Sequence, residues 1–256
     1  MNRASGKMGN GFNQAFLYRL FVHLLAFSAA SSLWAASPIS KAVIPRVESE
    51  PKIDGKLDEA AWNTATRLIL VENDSGKQTK EAASVRVMVT ADALWLGWTM
   101  SDRDIQATFV ERDSHFWEEE VAEFFVTAGA LDRYFELQWN PLGGVFDAII
   151  SNRLDSKGKS RGIDGDWSFT AKGMKSAVKV SGTVADSSDV DRSWTVEVKV
   201  PFADLGLTAP KPGEQWRANF YRFNRGGGVG VEKQSWSPTL DGSFHQPSRF
   251  GILEFR

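Results

Sequence analysis

The chain has 256 residues, ten of them Trp and none Cys, with 30 Lys and Arg against 32 Asp and Glu. This length, with 42% apolar residues, is enough for one large domain with a core of its own. The absence of Cys excludes disulfides, a cysteine nucleophile, thiolate zinc sites and iron–sulfur clusters. A net charge of −2 gives no reason to expect nucleic acid or an anionic membrane surface as a partner.

Residues 1–36 have the pattern of a secretory signal peptide. Arg3, Lys7 and Arg19 precede an apolar run over residues 20–36, and the segment contains no acidic residue. The run is short and rich in Ser for a membrane span, so we expect cleavage after Ala35 or Ala36. An uncleaved N-terminal anchor is the alternative. The mature chain, 37–256, is then secreted or periplasmic, has no membrane contact and is mildly acidic, with 27 Lys and Arg against 32 Asp and Glu.

From Val43 onward, short runs of alternating apolar and polar residues are separated by Gly, Asp, Asn, Ser and Pro. This pattern predicts an all-β fold, an antiparallel β-sandwich of two stacked sheets of jelly-roll or immunoglobulin-like type with very little helix. The eleven predicted strands are Val85–Val89, Leu94–Met100, Val121–Thr127, Tyr134–Asn140, Val145–Ser151, Trp167–Thr170, Val178–Val184, Trp194–Val200, Trp216–Phe223, Gln234–Trp236 and Gly251–Phe255.

Helix is predicted only as single turns, at 58–62 with Asp58 as N-cap and at 201–205 before Gly206. Residues 152–165 form the longest polar stretch and are predicted to be a loop. Nothing in the sequence divides residues 37–256, so we expect a single domain.

Two predicted strands, 121–127 and 134–140, are close enough in sequence to form a hairpin. Alternation places Phe124 and Leu137 on the core face, which puts Glu123, Glu136 and Gln138 together on the opposite face. Just before the hairpin, Trp117 lies in a loop of charged residues.

An aromatic platform beside carboxylate and amide groups is the chemistry that sugar binding requires, because sugars present flat C–H faces and rims of hydroxyls. Trp117 with Glu123, Glu136 and Gln138 has this composition. The Trp residues within apolar alternation are instead expected in the core: Trp95, Trp98, Trp139, Trp194 and Trp216.

Other interpretations of the same residues remain open. Glu123 and Glu136 are a carboxylate pair of the kind that glycosidases use, although outward carboxylates on a sheet are more often simply solvated. The acidic residues Asp102 and Asp104 are candidate ligands of a structural calcium ion, and we expect no required cofactor. A haem-binding redox domain is a third class, with candidate axial ligands Met88, Met100, His115 and His245.

Several motifs, in order, resemble the family 9 carbohydrate-binding modules. They are Pro51-Lys-Ile-Asp-Gly-Lys-Leu-Asp-Glu-Ala-Ala-Trp62, Val85-Arg-Val-Met-Val with Leu94-Trp-Leu-Gly-Trp, Trp117-Glu-Glu-Glu-Val-Ala-Glu-Phe-Phe125, Ser235-Trp-Ser-Pro-Thr and Phe244-His-Gln-Pro-Ser-Arg-Phe-Gly251. The resemblance runs from about Ile44 to Phe255. It implies a non-catalytic β-sandwich that binds a small sugar or a polysaccharide chain end between two aromatic side chains, in the context of carbohydrate catabolism.

The resemblance also implies roles for individual residues. Trp117 matches the first aromatic of the family and Phe244 stands where the second, a Trp, is expected. Glu123 agrees with the family pattern, whereas Glu136 replaces an Arg and Gln138 replaces an Asn.

The resemblance further implies structural calcium in the region 102–120 and an association with glycoside hydrolases, so an O-glycosyl hydrolase system is the alternative function. Arg222 and Trp236, which lie near the predicted return of Phe244 to the sheet, are additional candidates for the sugar site.

Overall fold

The computed structural model describes residues 38–226 and 230–256; the predicted signal peptide, 1–36, lies outside the described residues. Residues 38–256 form one compact unit. Its described part contains fourteen strands: β1 Lys41–Ile44, β2 Thr66–Ile69, β3 Val71–Glu72, β4 Ala83–Val89, β5 Ala93–Ser101, β6 Val121–Thr127, β7 Arg133–Trp139, β8 Val145–Leu154, β9 Ser160–Asp166, β10 Lys175–Ser181, β11 Ser193–Pro201, β12 Gln215–Asn224, β13 Glu232–Ser235 and β14 Gly251–Phe255.

Helix is confined to a few short turns. They are one α-helix, α1 (Ala60–Thr64), and the 3₁₀ turns Phe116–Glu118, Phe202–Leu205 and Pro247–Arg249. No helix in the described ranges has the length and apolar character needed to span a membrane.

The strands form two sheets. The larger has the order β1-β14-β12-β6-β7-β8-β9, with β13 beside β12 and β3 beside β13, and the smaller has the order β10-β11-β5-β4-β2. Only β1 and β14 pair in parallel among the named strands of the described chain. The prediction of an antiparallel β-sandwich with very little helix is therefore confirmed.

The main core lies between the two sheets. Strands β6 and β7 turn Phe124, Leu137 and Trp139 toward it, as their alternation predicted, and these side chains are fully buried. Across the interface, the ring of Trp98 from β5 meets Phe220 from β12 edge to face, with 5.8 Å between ring centroids. The five Trp residues predicted to be buried are at most 1% exposed.

The larger sheet also buries much of its opposite face. There Phe125, Tyr134 and Tyr221 belong to a second apolar cluster, which includes Phe116 from the first 3₁₀ turn and Phe244 from the loop before β14. A sheet that packs on both faces explains why β6 is buried at every position. The position of Glu123 and Glu136 on this covered face is the feature that leads to the functional site.

Three local predictions are wrong. Residues 160–166 form the edge strand β9 rather than a loop, and their polar sequence reflects the exposure of an edge strand, which removes the apolar alternation. The predicted strand Trp167–Thr170 begins instead as a turn, closed by hydrogen bonds from Ser168 to Asp166. Helix α1 starts at Ala60 after Glu59, without a side-chain cap from Asp58.

Candidate functional site

A cavity of about 470 Å³ opens on the face of the larger sheet that points away from the smaller sheet. This volume is in the range of small-molecule sites in proteins. Five of the seven predicted sugar-site residues line it together: Trp117, Glu123, Glu136, Gln138 and Phe244. They come from the 3₁₀ turn before β6, from β6 and β7, and from the loop before β14.

The floor of the cavity is polar. Strand register places Glu123 of β6 directly opposite Gln138 of β7, with Glu136 two residues away on the same face. The Gln138 Nε2 donates to Glu136 Oε1 at 2.6 Å, whereas Gln138 Oε1 is buried without a hydrogen-bond partner in the described residues. Sequence alternation predicted this grouping, but it did not predict that all three side chains would be at most 5% exposed.

Burial controls the charge of the floor. Loss of hydration raises the pKa of Glu136 to about 8. Loss of hydration also raises the pKa of Glu123 well above its ordinary value, and the neighbouring Glu136 raises it further. The expectation that these two carboxylates are a solvated surface pair is therefore wrong.

One wall is an aromatic cluster built around Trp117. The preceding Phe116 is fully buried in the second apolar cluster and anchors the 3₁₀ turn, which leaves Trp117 partly buried at the cavity. Trp117 stacks on His115 with 4.7 Å between ring centroids and meets Phe146 of β8 edge to face at 5.6 Å. Arg225 donates to the Trp117 carbonyl and holds the turn from the other side.

Trp167 completes this wall and was not predicted to belong to the site. Its indole lies 6.0 Å from Trp117 and 5.7 Å from Phe146 between ring centroids, and 46% of the residue is exposed. A Cβ at Gly165 would lie 2.2 Å from Trp167 Nε1, so only glycine lets the indole approach the β9 backbone this closely. The signal was present in the sequence, because Trp167 lies among Gly, Asp and Ser just as Trp117 lies among charged residues.

Phe244 also lines the cavity. Its ring stacks on Tyr221 of β12 at 4.2 Å between centroids and packs on Phe223 at 4.7 Å. The backbone is fixed as well, because the Tyr221 hydroxyl donates to the Phe244 carbonyl at 2.9 Å and Asn152 Nδ2 donates to the His245 carbonyl at 3.1 Å. Phe244 is therefore held rigidly by strands β8 and β12.

His245 is a second lining residue that was not among the predicted sugar-site residues, since the sequence suggested it only as a haem ligand. Its Nδ1 is 2.7 Å from the Tyr134 hydroxyl and its Nε2 is 4.0 Å from Glu136 Oε2. Burial lowers its pKa to about 4, so the ring is neutral at ordinary pH. No local pattern marks His245, because its partners on β7 are more than a hundred residues away in the chain.

The structure does not bring Arg222 and Trp236 to the cavity. Arg222 is fully buried on the other side of β12, where its Nη2 lies 2.7 Å from Asp102 Oδ2 and 3.4 Å from Glu120 Oε2. Trp236 packs in the sandwich core, edge to face with Phe220.

Of the two calcium candidates, Asp102 belongs to the same buried network, whereas Asp104 is only partly buried. Asp102 pairs with Arg222, and its Oδ1 accepts from the Asp104 backbone N–H at 3.1 Å. Residues 38–226 and 230–256 contain no group of three or more acidic or His side chains able to hold a metal ion. The calcium interpretation therefore stays a sequence prediction without a ligand set.

The positions of the candidate axial ligands do not fit haem binding. Met88 and Met100 lie on β4 and β5 of the smaller sheet, buried in apolar clusters. His245 instead lines the cavity on the far face of the larger sheet, and His115 stacks on Trp117, which lines the same cavity. No Met and His are therefore brought together as an axial pair among these four residues.

Comparison with known proteins agrees with this architecture. The sequence model of Carbohydrate-binding family 9 matches residues 75–255, which is most of the chain. The chain belongs to Carbohydrate-binding family 9. A search of curated protein sequences gives no match.

Solved structures with low sequence identity to this chain have a similar fold. A candidate carbohydrate-binding protein from Bacteroides uniformis aligns over 86% of this chain and 100% of its own, with 19% identity and a TM-score of 0.66. A family 9 module from Caldicellulosiruptor kristjanssonii, solved with cellotriose, aligns over 85% of this chain and 94% of its own, with 15% identity and a TM-score of 0.56. The glucose complex of a family 9 module from the same organism aligns over 84% and 96%, with 15% identity and a TM-score of 0.55.

Proposed function

We propose that the chain is an exported, non-catalytic protein that holds a sugar ring between Trp117 and Phe244 above the polar floor of the cavity. One observation carries the proposal. Residues chosen for their chemistry from three separate parts of the sequence line a single cavity with aromatic walls and a carboxyl and amide floor. This is the combination of apolar platforms and directional groups that a sugar ring needs.

The aromatic walls supply the contact energy. Burial of both faces of a pyranose ring removes roughly 100 Å² of apolar surface, which contributes roughly 2 to 3 kcal/mol at about 25 cal/mol per Å². The floor supplies direction, because Glu123, Glu136 and Gln138 present oxygen acceptors to the hydroxyls of the ring. Since Phe244 is already fixed by Tyr221, little side-chain entropy is lost on that wall when a sugar binds.

The arrangement favours binding over hydrolysis. Glycosidases place two carboxyl groups on either side of the scissile bond. Glu123 and Glu136 instead rise from one sheet face on adjacent strands and meet a bound sugar from the same side. We expect purified protein to release no reducing sugar from cellotriose. Release that disappears in Glu123→Gln or Glu136→Gln would make the protein a hydrolase.

Export is part of the proposal and rests on the amino-terminal sequence. Arg3, Lys7 and Arg19 before an apolar, Ser-rich run are the arrangement that the secretion machinery recognises. Amino-terminal sequencing of protein recovered outside the cytoplasm should begin at Ala36 or Ser37. Recovery only with an intact amino terminus would support the uncleaved anchor instead.

Calorimetric titration with cellotriose and glucose tests sugar binding. We expect Trp117→Ala to weaken binding at least tenfold, because it removes one platform while the polar floor stays intact. Val190→Ala is the control, since Val190 is an apolar residue that is 75% exposed and does not line the cavity. Equal sugar affinity in the two variants would remove the assignment of the cavity as the sugar site.

A further inference from the structure

The floor of the cavity combines two carboxyl groups with no cationic side chain. Glu123 and Glu136 are 2% and 5% exposed, on neighbouring strands and on the same sheet face. No Lys or Arg of the described chain lies within 4 Å of either carboxyl group or lines the cavity. Two buried acids without a counter-charge are costly to ionise together, because each loses hydration and repels the other.

The polar groups that face the two carboxyls do not neutralise them. His245 is neutral and binds the Tyr134 hydroxyl through Nδ1. The Tyr221 hydroxyl is committed to the Phe244 carbonyl. The charge of Arg225 lowers the pKa of Glu123, but this effect is smaller than those of burial and of Glu136, and Arg225 Nη2 donates to the Trp117 carbonyl.

The floor also presents acceptors that the protein leaves without donors. Gln138 Oε1 is buried and unpartnered in the described ranges, and the pKa of Glu123 is shifted by burial, Glu136 and Arg225, with no hydrogen-bond donor among these causes. Buried acceptors of this kind gain free energy when a ligand brings donors to them. The aromatic walls add to the preference, since the faces of Trp and Phe rings attract cations.

We propose that the cavity selects a sugar with a protonated amine, of the 2-amino-2-deoxyhexose class, over the corresponding neutral sugar. The ammonium group brings three donors and one positive charge to Glu123, Glu136 and Gln138, and it favours ionisation of a carboxyl group for which the protein provides no counter-charge. The inference rests on the proposed sugar-binding function and assigns the chemical class of its ligand.

Calorimetric titration at pH 6.5 with glucosamine, glucose and N-acetylglucosamine tests the inference. The three sugars share one ring, but only glucosamine carries a protonated amine. We expect glucosamine to bind at least tenfold more tightly than either neutral sugar. Because the ammonium favours the ionised carboxyls, binding should also release protons, which appears as a dependence of the measured heat on the ionisation enthalpy of the buffer.

Two variants test whether the carboxyl groups of the floor cause the preference for glucosamine. Glu136→Gln and Glu123→Gln should each reduce the glucosamine-to-glucose affinity ratio at least fivefold. Glu118→Gln is the matched control, because it removes an exposed carboxylate next to Trp117 and should leave the ratio unchanged.

The outcomes separate the inference from the function on which it rests. Glucose or cellotriose binding with equal or weaker glucosamine binding overturns the preference for an amine and leaves sugar binding in place. Failure of all the sugars to bind overturns both. The comparison of ligands uses the unaltered protein, so it stands even where a floor variant fails to fold.

Discussion

Two pairs of buried acids lie at or near β6, and they differ in how their charge is balanced. Asp102 and Glu120 share the guanidinium of Arg222, and all three side chains are at most 1% exposed. Glu123 and Glu136 lie beside a cavity and have no Lys or Arg in contact within the described chain. The first pair has its counter-charge within the fold, and its ion pairs with Arg222 connect the ends of β5 and β6 to β12. The second pair has no such counter-charge, and it lies beside a cavity that a ligand can enter.

Burial raises a pKa in both pairs, so the pKa alone does not distinguish a structural pair from a binding pair. The pKa of Glu120 reaches about 8 even with Arg222 beside it, and the pKa of Glu136 reaches about 8 without such a partner. The distinguishing observations are the partner and the space in front of the acid. Substitutions that remove or add a counter-charge therefore test the difference between the two pairs.

The largest effect is expected from Arg222→Met. Removal of the guanidinium leaves Asp102 and Glu120 buried without a counter-charge, which typically costs about 3 to 5 kcal/mol. Urea unfolding at pH 8 measures the loss. Arg153→Met is the control, because its pair with Asp164 is exposed and its removal should cost less than about 1 kcal/mol. Equal losses in the two variants would contradict the structural role of the first pair.

The second prediction concerns pH and Glu136. Its pKa is raised in the folded state, so its contribution to stability is complete below about 4.5 and is lost as pH rises toward about 8. His245 acts in the opposite direction, but only below its ordinary pKa of 6.5. Between pH 6.5 and 8, we therefore expect the unaltered protein to lose about 1 to 2 kcal/mol more than Glu136→Gln.

Urea unfolding at a series of pH values checks this slope. Glu118→Gln should behave as the unaltered protein does, since its carboxylate is exposed. Identical slopes in the unaltered protein and Glu136→Gln would mean that Glu136 stays ionised in its buried position.

The third prediction concerns a substitution that gives Glu123 and Glu136 a counter-charge from the chain itself. Gln138→Lys places an ammonium beside Glu136, where the Gln138 amide now donates at 2.6 Å. The chain then supplies the charge that we assign to the ligand, so the preference for glucosamine over glucose should fall about tenfold. Gln78→Lys is the control, because it adds the same charge at an exposed position away from the cavity. A preference that survives in Gln138→Lys would show that the amine is recognised elsewhere.

The smallest effect is expected from Tyr221→Phe. It removes the hydroxyl that fixes the Phe244 carbonyl, at a cost of about 1 kcal/mol in stability, and it should weaken glucose binding a few-fold by loosening one wall. Thr66→Val removes a similar hydroxyl-to-carbonyl hydrogen bond, to Val43, and neither residue lines the cavity. It should lower stability by a similar amount and leave glucose affinity unchanged.

Sequence alternation predicted most of the strands and the floor of the cavity, but it missed β1, β2, β3 and β9. A period of two along β6 and β7 determines which side chains share a face, so the sequence alone could group Glu123, Glu136 and Gln138. The same rule would have excluded Arg222, because it shares the core face of β12 with Phe220, two residues before it. Arg222 was a wrong site candidate because residues two apart on a strand share a face, and Phe220 faces the core.

Other parts of the site depend on contacts that leave no local pattern. The wall contributed by β9 has the polar sequence of an exposed edge, and it becomes a strand because β8 provides its hydrogen-bond partners. His245 acquires its environment from Tyr134 and Asn152, both on distant strands. Burial of the two acids likewise follows from a covering layer whose segments are far apart in the chain.

The distribution of Trp gives the molecule an internal optical reporter. Of the nine Trp residues in the described chain, seven are at most 8% exposed, and the other two, Trp117 and Trp167, form one wall of the cavity. A water-soluble collisional quencher therefore has access to the emission of these two indoles before any other. A ligand that fills the cavity shields both, so its occupancy is readable as fluorescence without a label.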